Sequence, residues 1–220
     1  MFPSIQFERA QTRAAIIPFS LVEFCERAAG LLLLLCSSPL LIGSALATMV
    51  LSGRCPLVAH LRVGRDNRPF WMLKLRSMWD GTAPDSRSRG WIEYVVSAPR
   101  EDGKEKNDPR VTSRFAAFCR RHSIDELPQL WHVVRGEMSL VGPRPLTDVE
   151  IVRYYGASAA ELLSVKPGLT GLWQVSGRST IRFPRRAEMD LELVRGLTPA
   201  LYFQILLRTF SALLRGQGAW

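Results

Sequence analysis

The chain has 220 residues, 47% of them apolar, and its 29 Lys and Arg against 20 Asp and Glu give a formal net charge of +9. That apolar content excludes a disordered tail, and 16 Gly, 14 Pro and 4 Cys exclude collagen-like and disulfide-scaffold classes. A pI near 10.0 beside a mean hydropathy of +0.02 is an unusual pairing, so a strongly apolar stretch must offset the charge.

In chain order, residues 1–53 carry no net charge, residues 54–124 carry +7 and residues 125–220 carry +2. An N-terminal segment, 1–27, leads into 26 uncharged residues, 28–53 (AAGLLLLLCSSPLLIGSALATMVLSG). As one helix these would reach about 39 Å, more than the ~30 Å hydrocarbon core of a bilayer. A cleavable signal, suggested by Ala45-Leu46-Ala47, would need a leader far longer than usual. A simple transmembrane helix fits by length, and the basic flank from Arg54 would place the C-terminal part of the chain in the cytoplasm. Ser37-Ser38-Pro39 offers a third arrangement, because proline breaks or kinks a helix. The halves 28–38 and 39–53 would span about 16 and 22 Å, each too short to cross alone. A re-entrant helix broken at Ser38 and Pro39 is then natural, with carbonyls freed beside the proline taken up by serine hydroxyls. On physics alone the kinked span and the re-entrant hairpin both stand.

Residues 54–220 form the main domain. Two strand-like runs in 57–79 flank Gly64-Arg65-Asp66-Asn67, which predicts a hairpin. Residues 80–109 read as a surface loop apart from Trp91–Val96. A basic helix is expected over 110–122, with Val111, Phe115, Phe118 and Cys119 on one face. The next helix takes Asp125 as N-cap and Pro128 at its third position, with Leu127, Leu130, Trp131 and Val134 on its face and Gly136 as its end. Three Pro/Gly-stiffened loops come after it, at 141–145, 166–171 and 176–178. Pro199 opens a final helix, Leu201–Leu214, which belongs either to the core or to a membrane interface. The predicted class is α+β, mostly helical with a small β-hairpin, an N-terminal Pro-broken membrane helix, spanning or re-entrant, and interfacial helices. Cys25, Cys36, Cys55 and Cys119 form no C-x-x-C pair and read as reduced thiols; His60, His122 and His132 are dispersed.

An adjacent acidic pair such as Asp125-Glu126 is by itself an ordinary helix cap, and the chain has a second at Glu101-Asp102. Its setting adds weight. Arg120-Arg121 precede it, and each stiff loop offers one cation: Arg144, Lys166 and Arg178. Arginine forks bind phosphate oxygens bidentately, and prolines beside Arg144 lower the entropy lost in doing so. A carboxylate at a helix N-terminus stays ionised and available as a nucleophile. Attack on a phosphate then calls for cations nearby, and Glu126 is an oxygen ligand suited to Mg²⁺. Neither G-x-x-x-x-G-K-[ST] nor G-x-G-x-x-G occurs.

The run Asp108–Pro145 (DPRVTSRFAAFCRRHSIDELPQLWHVVRGEMSLVGPRP) and Lys166–Arg178 (KPGLTGLWQVSGR) resemble the bacterial sugar transferases, monotopic phosphoglycosyl transferases that load a sugar-1-phosphate onto polyprenol phosphate. Arg62-Val63-Gly64, Lys74-Leu75-Arg76-Ser77-Met78, Asp190 and Arg215-Gly216-Gln217-Gly218-Ala219 also match, so the resemblance spans nearly all of residues 24–220 as a minimal catalytic unit. It implies that Asp125 forms a phosphosugar–enzyme intermediate and releases UMP, with Glu126 holding Mg²⁺ at the diphosphate. Arg120 and Arg178 would contact phosphates or nucleotide, and Arg144 sits in the Pro-rich active-site loop; Arg121 and Lys166 join them as candidate phosphate ligands from the charge of their setting. Ser38-Pro39 would break a re-entrant helix with both ends cytoplasmic. The implied partners are a UDP-sugar, undecaprenyl phosphate and the bilayer of the bacterial inner membrane, and a homodimer is among the assemblies allowed. The implied step is the first membrane step of exopolysaccharide, O-antigen or glycoconjugate synthesis, and Leu172-Trp173-Gln174-Val175 leans to glucose or galactose. The sequence departs from the family at Glu26 (usually Asp), His60 (commonly Gln), Glu192-Leu193 (usually Tyr) and Tyr202 with Gln204 (typically an Asp/Lys pair). A catalytically silent family member fits those departures. A non-enzymatic, membrane-tethered basic module binding anionic lipid or nucleic acid is the rival class; it leaves the stiff single-cation loops unexplained, so nucleic acid is not an expected partner.

Overall fold

The computed structural model describes residues 21–79, 90–96, 111 and 113–215. The expected loops at 80–89 and 97–109, residues 1–20, Arg110 and the end of the chain from 216 lie outside the described residues. The uncharged stretch lies in one 32-residue helix, α1 (Leu21–Ser52), which runs through Pro39 as a single element. The two separate halves expected on either side of Ser38 and Pro39 therefore merge. Pro39 has no N–H for the Leu35 carbonyl, and Ser38 Oγ donates to that oxygen at 2.8 Å, while Ser37 Oγ donates to Leu33 O at 2.7 Å. Ser38 thus satisfies the carbonyl that the proline strips, as expected. Half-buried or buried positions recur every three or four residues, from Glu23 through Gly30, Leu34, Ser37 and Leu41 to Ala45 and Thr48. One stripe of α1 therefore faces the domain. Leu32, Leu35, Ile42 and Val50 stand exposed on the other sides, and the helix is long and apolar enough to cross a membrane.

The hairpin forms as predicted: β1 (Leu57–Val63) pairs antiparallel with β2 (Pro69–Leu75), Leu57 opposite Leu75 and Val63 opposite Pro69. Its turn places Asp66 and Asn67 at φ of 56° and 59°, a region these two residue types tolerate. A further strand, β3 (Ile92–Val95), runs parallel to β1 and extends the hairpin to a three-stranded sheet, β2-β1-β3. In α2 (Arg114–Arg121), Ser113 Oγ accepts from Ala116 N at 3.0 Å, and of the expected apolar face Cys119 is buried but Phe118 is exposed.

Asp125 is not a helix N-cap. Residues Ile124–Gln129 wind as a 3₁₀ turn, with Ser123 at its start in the left-handed region (φ 55°) and Asp125 inside it. Such turns are common before an α-helix, and Pro128 contributes no N–H to an α-type ladder. The turn rotates the following helix, α3 (Leu130–Arg135). Leu130 and Val133 enter the core while Trp131, expected on the buried face, is 45% exposed. Gly136 ends α3 at φ 77°, as expected.

Two of the stiff loops contain a parallel sheet of β4 (Ser139–Val141) and β5 (Gly168–Thr170). A Cβ on Gly168 would lie 2.1 Å from Gly142 N, so this backbone crossing requires glycine. A Thr147–Glu150 capping box opens α4 (Asp148–Tyr155), followed by α5 (Ala159–Leu162), α6 (Leu172–Ser176), α7 (Phe183–Gly196) and α8 (Pro199–Arg215). The two alternatives for the last helix each describe one face: Ile205 packs with Val141 and Leu193, while Phe203, Leu207 and Phe210 are exposed. Between sheet and helices, Phe70, Met72, Leu130, Val133, Met138 and Leu140 form a core that Ala29 and Leu34 of α1 join. Glu26 of α1 clamps the same junction, accepting from Ser139 Oγ, Leu140 N at 3.3 Å and Tyr202 Oη at 2.5 Å.

Candidate active site

The 3₁₀ turn carries Asp125 and Glu126 to the edge of the sheet. Asp125 is buried, and its Oδ2 accepts from Ser77 Oγ at 3.3 Å. Burial, and then the negative charge of Asp125, push the Cys119 thiol up to about 11, so this neighbour stays protonated. Glu126 Oε1 receives Lys74 Nζ at 2.8 Å and Arg144 Nη1 at 3.5 Å. Burial pulls Arg178 below its usual range, and the Glu126 charge opposes that shift. Among the described residues, Arg120 Nη2 and Arg178 Nη1 are buried without a hydrogen-bond partner, a costly state for a guanidinium that an anion would relieve.

Two cavities meet at this point. A polar one of about 370 Å³ is lined by His60, Arg62, Lys74 and Arg76 of the three-stranded sheet and its exit, with Glu150 and Asp190 across from them. An apolar one of about 420 Å³ lies between α1, α6 and α8, among Leu33, Leu130, Val175, Leu206 and Phe210. Arg120, Asp125, Arg144, Trp173 and Arg186 line both. The Arg186 guanidinium lies 4.6 Å from the Trp173 ring centroid and that of Arg144 5.9 Å, cation–π contacts that fix both cations. Burial, then the charges of Arg62, Lys74 and Arg76, hold His60 down to about 4, so its imidazole is neutral at pH 7.

Of the residues expected from sequence, Asp125, Glu126, Arg120, Arg144 and Arg178 come together. Arg121 and Lys166 do not: neither lines either cavity, and Lys166 Nζ instead bonds Glu23 Oε1 of α1 at 2.7 Å. A lysine in a stiff loop looks like a phosphate ligand until an acid 143 positions away claims it. Sequence reasoning singled out the segments holding Arg62, Lys74 and Arg76 without placing them in the site, and it missed Arg186. A signal existed: His60 and Arg62 alternate with apolar residues along β1, which puts both on one face. Among the described residues no group of three or more His, Cys, Asp and Glu side chains assembles. Mg²⁺ needs only one or two carboxylates and fills its shell with phosphate and water oxygens, and Glu126, set among the cations of the site, is the carboxylate that could hold it.

An acidic pair set among cations, where a polar cavity meets an apolar one, suits anionic groups carried on apolar chains. The chain belongs to the bacterial sugar transferase family, whose family model matches residues 19–216. It is 44% identical over 169 residues to the UDP-galactose-lipid carrier transferase of Erwinia amylovora, covering 76% of this chain and 35% of that protein. It is 38% identical over 191 residues to the undecaprenyl-phosphate galactose phosphotransferase of Salmonella typhimurium, covering 86% and 40% respectively. Over 230 residues it is 33% identical to the exopolysaccharide production protein ExoY of Rhizobium meliloti, covering 96% of this chain and 100% of that one. The chain thus spans well under half the length of the first two relatives and the whole of the third.

Proposed function

We propose that this chain transfers a hexose-1-phosphate from a UDP-sugar to undecaprenyl phosphate in two steps through Asp125. An Asp125 carboxylate oxygen attacks the phosphorus bearing the sugar, and the bond to UMP breaks with its electrons leaving on UMP. An acceptor phosphate oxygen then attacks the same phosphorus, the Asp125–phosphorus bond breaks, and a sugar diphospholipid is released. Both displacements run in line opposite Asp125, so UMP and the acceptor phosphate use one seat in turn. The observation that supports this reading is the pair of cavities sharing Arg120, Asp125, Arg144, Trp173 and Arg186. A polar headgroup and an apolar tail diverge from a common phosphate position.

Arg120 and Arg178 offer unpartnered nitrogens to the phosphate oxygens, and Arg144 is oriented by Trp173 and Glu126. Glu126 would hold Mg²⁺, which when bound neutralises diphosphate charge. The exposed apolar sides of α1 and α8 rest in the inner membrane, α1 as a Pro39-kinked, re-entrant anchor with the catalytic domain on the cytoplasmic face. The names of the relatives favour galactose as the hexose. UMP release from a panel of UDP-sugars with undecaprenyl phosphate and Mg²⁺ tests the activity. Asp125→Asn is expected to abolish the covalent phosphosugar adduct and to slow UMP release by at least about a thousandfold; full activity in that variant refutes the mechanism.

A further inference from the structure

The Asp125 carboxylate carries a hydrogen bond whose donor has no part in the transfer steps given above. Ser77 Oγ donates to Asp125 Oδ2 at 3.3 Å. Both side chains are buried, and both line the polar cavity. Ser77 lies just past the end of β2, and the residue before it is stapled in place. Arg76 N donates to Pro56 O at 2.7 Å, its Nε to Cys55 O at 2.8 Å, and its Nη2 to Glu93 Oε2 of β3. Bonds to the entry of β1 and to β3 thus fix the backbone from which the hydroxyl reaches Asp125. The two residues are 48 positions apart, so the fold makes this contact and the local sequence does not.

We propose that Ser77 is a positioning residue that acts through Asp125: it selects the attacking oxygen and keeps the phosphosugar adduct from becoming a resting state. This rests on the two-step transfer proposed above. The oxygen that accepts from Ser77 is the weaker nucleophile of the carboxylate. Oδ1 therefore forms the bond to phosphorus while the bond from phosphorus to UMP breaks. In the adduct Oδ2 is an uncharged carbonyl oxygen, and its bond to Ser77 is an ordinary one. In the second step an acceptor phosphate oxygen attacks that phosphorus, and the electron pair of the Oδ1–phosphorus bond returns to the carboxylate. Part of the charge gathers on Oδ2, and the Ser77 bond becomes charge-assisted. Ser77 keeps its proton throughout. Catalytic hydrogen bonds are often long in a resting protein and tighten as charge develops. The donor thus favours the free carboxylate over the adduct. A hydrogen bond to a charged acceptor exceeds one to a neutral acceptor by a margin equivalent to about tenfold in that equilibrium.

The test is the internal equilibrium of the first step, read on the full chain in detergent. The protein is held with sugar-labelled UDP-galactose, Mg²⁺ and a fixed ratio of UMP to UDP-galactose, without acceptor, and the label bound to protein is measured after quenching. Ser77→Ala should raise the ratio of labelled to unlabelled protein by about tenfold. A chase with undecaprenyl phosphate should then remove its label several-fold more slowly than from wild type. A hydroxyl that only held the fold together would change the forward and reverse rates alike and leave the ratio unmoved. Ser77→Thr keeps the hydroxyl and should hold the ratio within about threefold of wild type. Ser77→Cys, a weaker donor, should raise the ratio by a smaller factor and covers the case in which Ser77→Ala fails to fold. An unchanged ratio in Ser77→Ala or Ser77→Cys, or a Ser77→Thr ratio as high as that of Ser77→Ala, overturns the role of Ser77 alone. No label on wild-type protein with any UDP-sugar overturns the two-step reading and this role together.

Discussion

Tyr202→Phe tests how the apolar anchor is fixed to the catalytic domain. Tyr202 Oη donates to Glu26 Oε1 at 2.5 Å, and the same oxygen accepts from Ser139 Oγ and from Leu140 N at 3.3 Å. One carboxylate thus joins α1, β4 and α8. A hydrogen bond to a charged group contributes about 1.5–3 kcal/mol. Tyr202 is half-buried and two donors remain on Glu26, so the lower end applies, about 1.5 kcal/mol. Glu26→Gln keeps the size but weakens all three bonds, at about 2 kcal/mol. Because the side chains touch, the double variant should lose about 1 kcal/mol less than the two singles together. Urea unfolding of the full chain in detergent, followed by tryptophan fluorescence, measures the cycle. Strictly additive losses would refute the clamp. A pH arm checks the same contact. Burial and then Glu26 raise the Tyr202 pKa. Its contribution is therefore fully present below the ordinary phenol value of about 10 and is lost as pH rises through the folded value. Tyr202→Phe should flatten that alkaline loss.

Other variants probe separate parts of the architecture. Lys74→Met strips Glu126 of its 2.8 Å partner and should lower kcat/KM for UMP release by about 100-fold; a wild-type value would remove the sheet from the site. Lys166→Ala breaks the pair with Glu23, so turnover should stay within about threefold while stability drops by about 1 kcal/mol. A large loss of turnover there would restore Lys166 to the phosphate site. Gly168→Ala forces a methyl against Gly142 N and should cost about 3 kcal/mol or more, visible as rapid limited proteolysis; a wild-type melting temperature would contradict the crossing. Pro39→Ala returns an N–H to the Leu35 carbonyl and should favour a straight spanning helix. Cysteine labelling of the N-terminus would then find it moved across the membrane, and unchanged sidedness would refute the proposed re-entry at Pro39.

The parts of this fold legible in the sequence are those fixed by local chemistry. The hairpin followed from Gly64-Arg65-Asp66-Asn67 between apolar runs, the end of α3 from Gly136, and the repair of the proline gap from Ser38. The register of α3 was not legible. Whether Trp131 or Val133 turns inward depends on the 3₁₀ winding of Ile124–Gln129, and that winding is settled by packing around Leu130 and Asp125. A heptad pattern read across a 3₁₀ turn carries a rotation error, since the turn advances 3.0 residues per cycle and the helix 3.6. Lys166 was illegible for a different reason. Its partner, Glu23, lies at the far end of the chain, and pairing over that separation has no local trace.

The cations of the site divide along the same line. Arg120, Arg144 and Arg178 stand in loops and at helix ends close to the acidic pair, where turn chemistry announces them. Arg62, Lys74 and Arg76 are strand or strand-end residues, and an alternating basic residue on a strand reads first as a solvated outer face. Here that face looks into the polar cavity, because the 3₁₀ turn packs against β2 and closes over it. Of the basic residues in 54–124, Arg62, Lys74, Arg76 and Arg120 line this cavity. This placement sharpens the electrostatic expectation. A surface patch would bind any polyanion and weaken steeply with salt. Cations held in a cavity beside Asp125 and Glu126 are screened less and act only on a phosphate that fits between them, so substrate binding should depend on salt far more weakly than a net charge of +9 suggests.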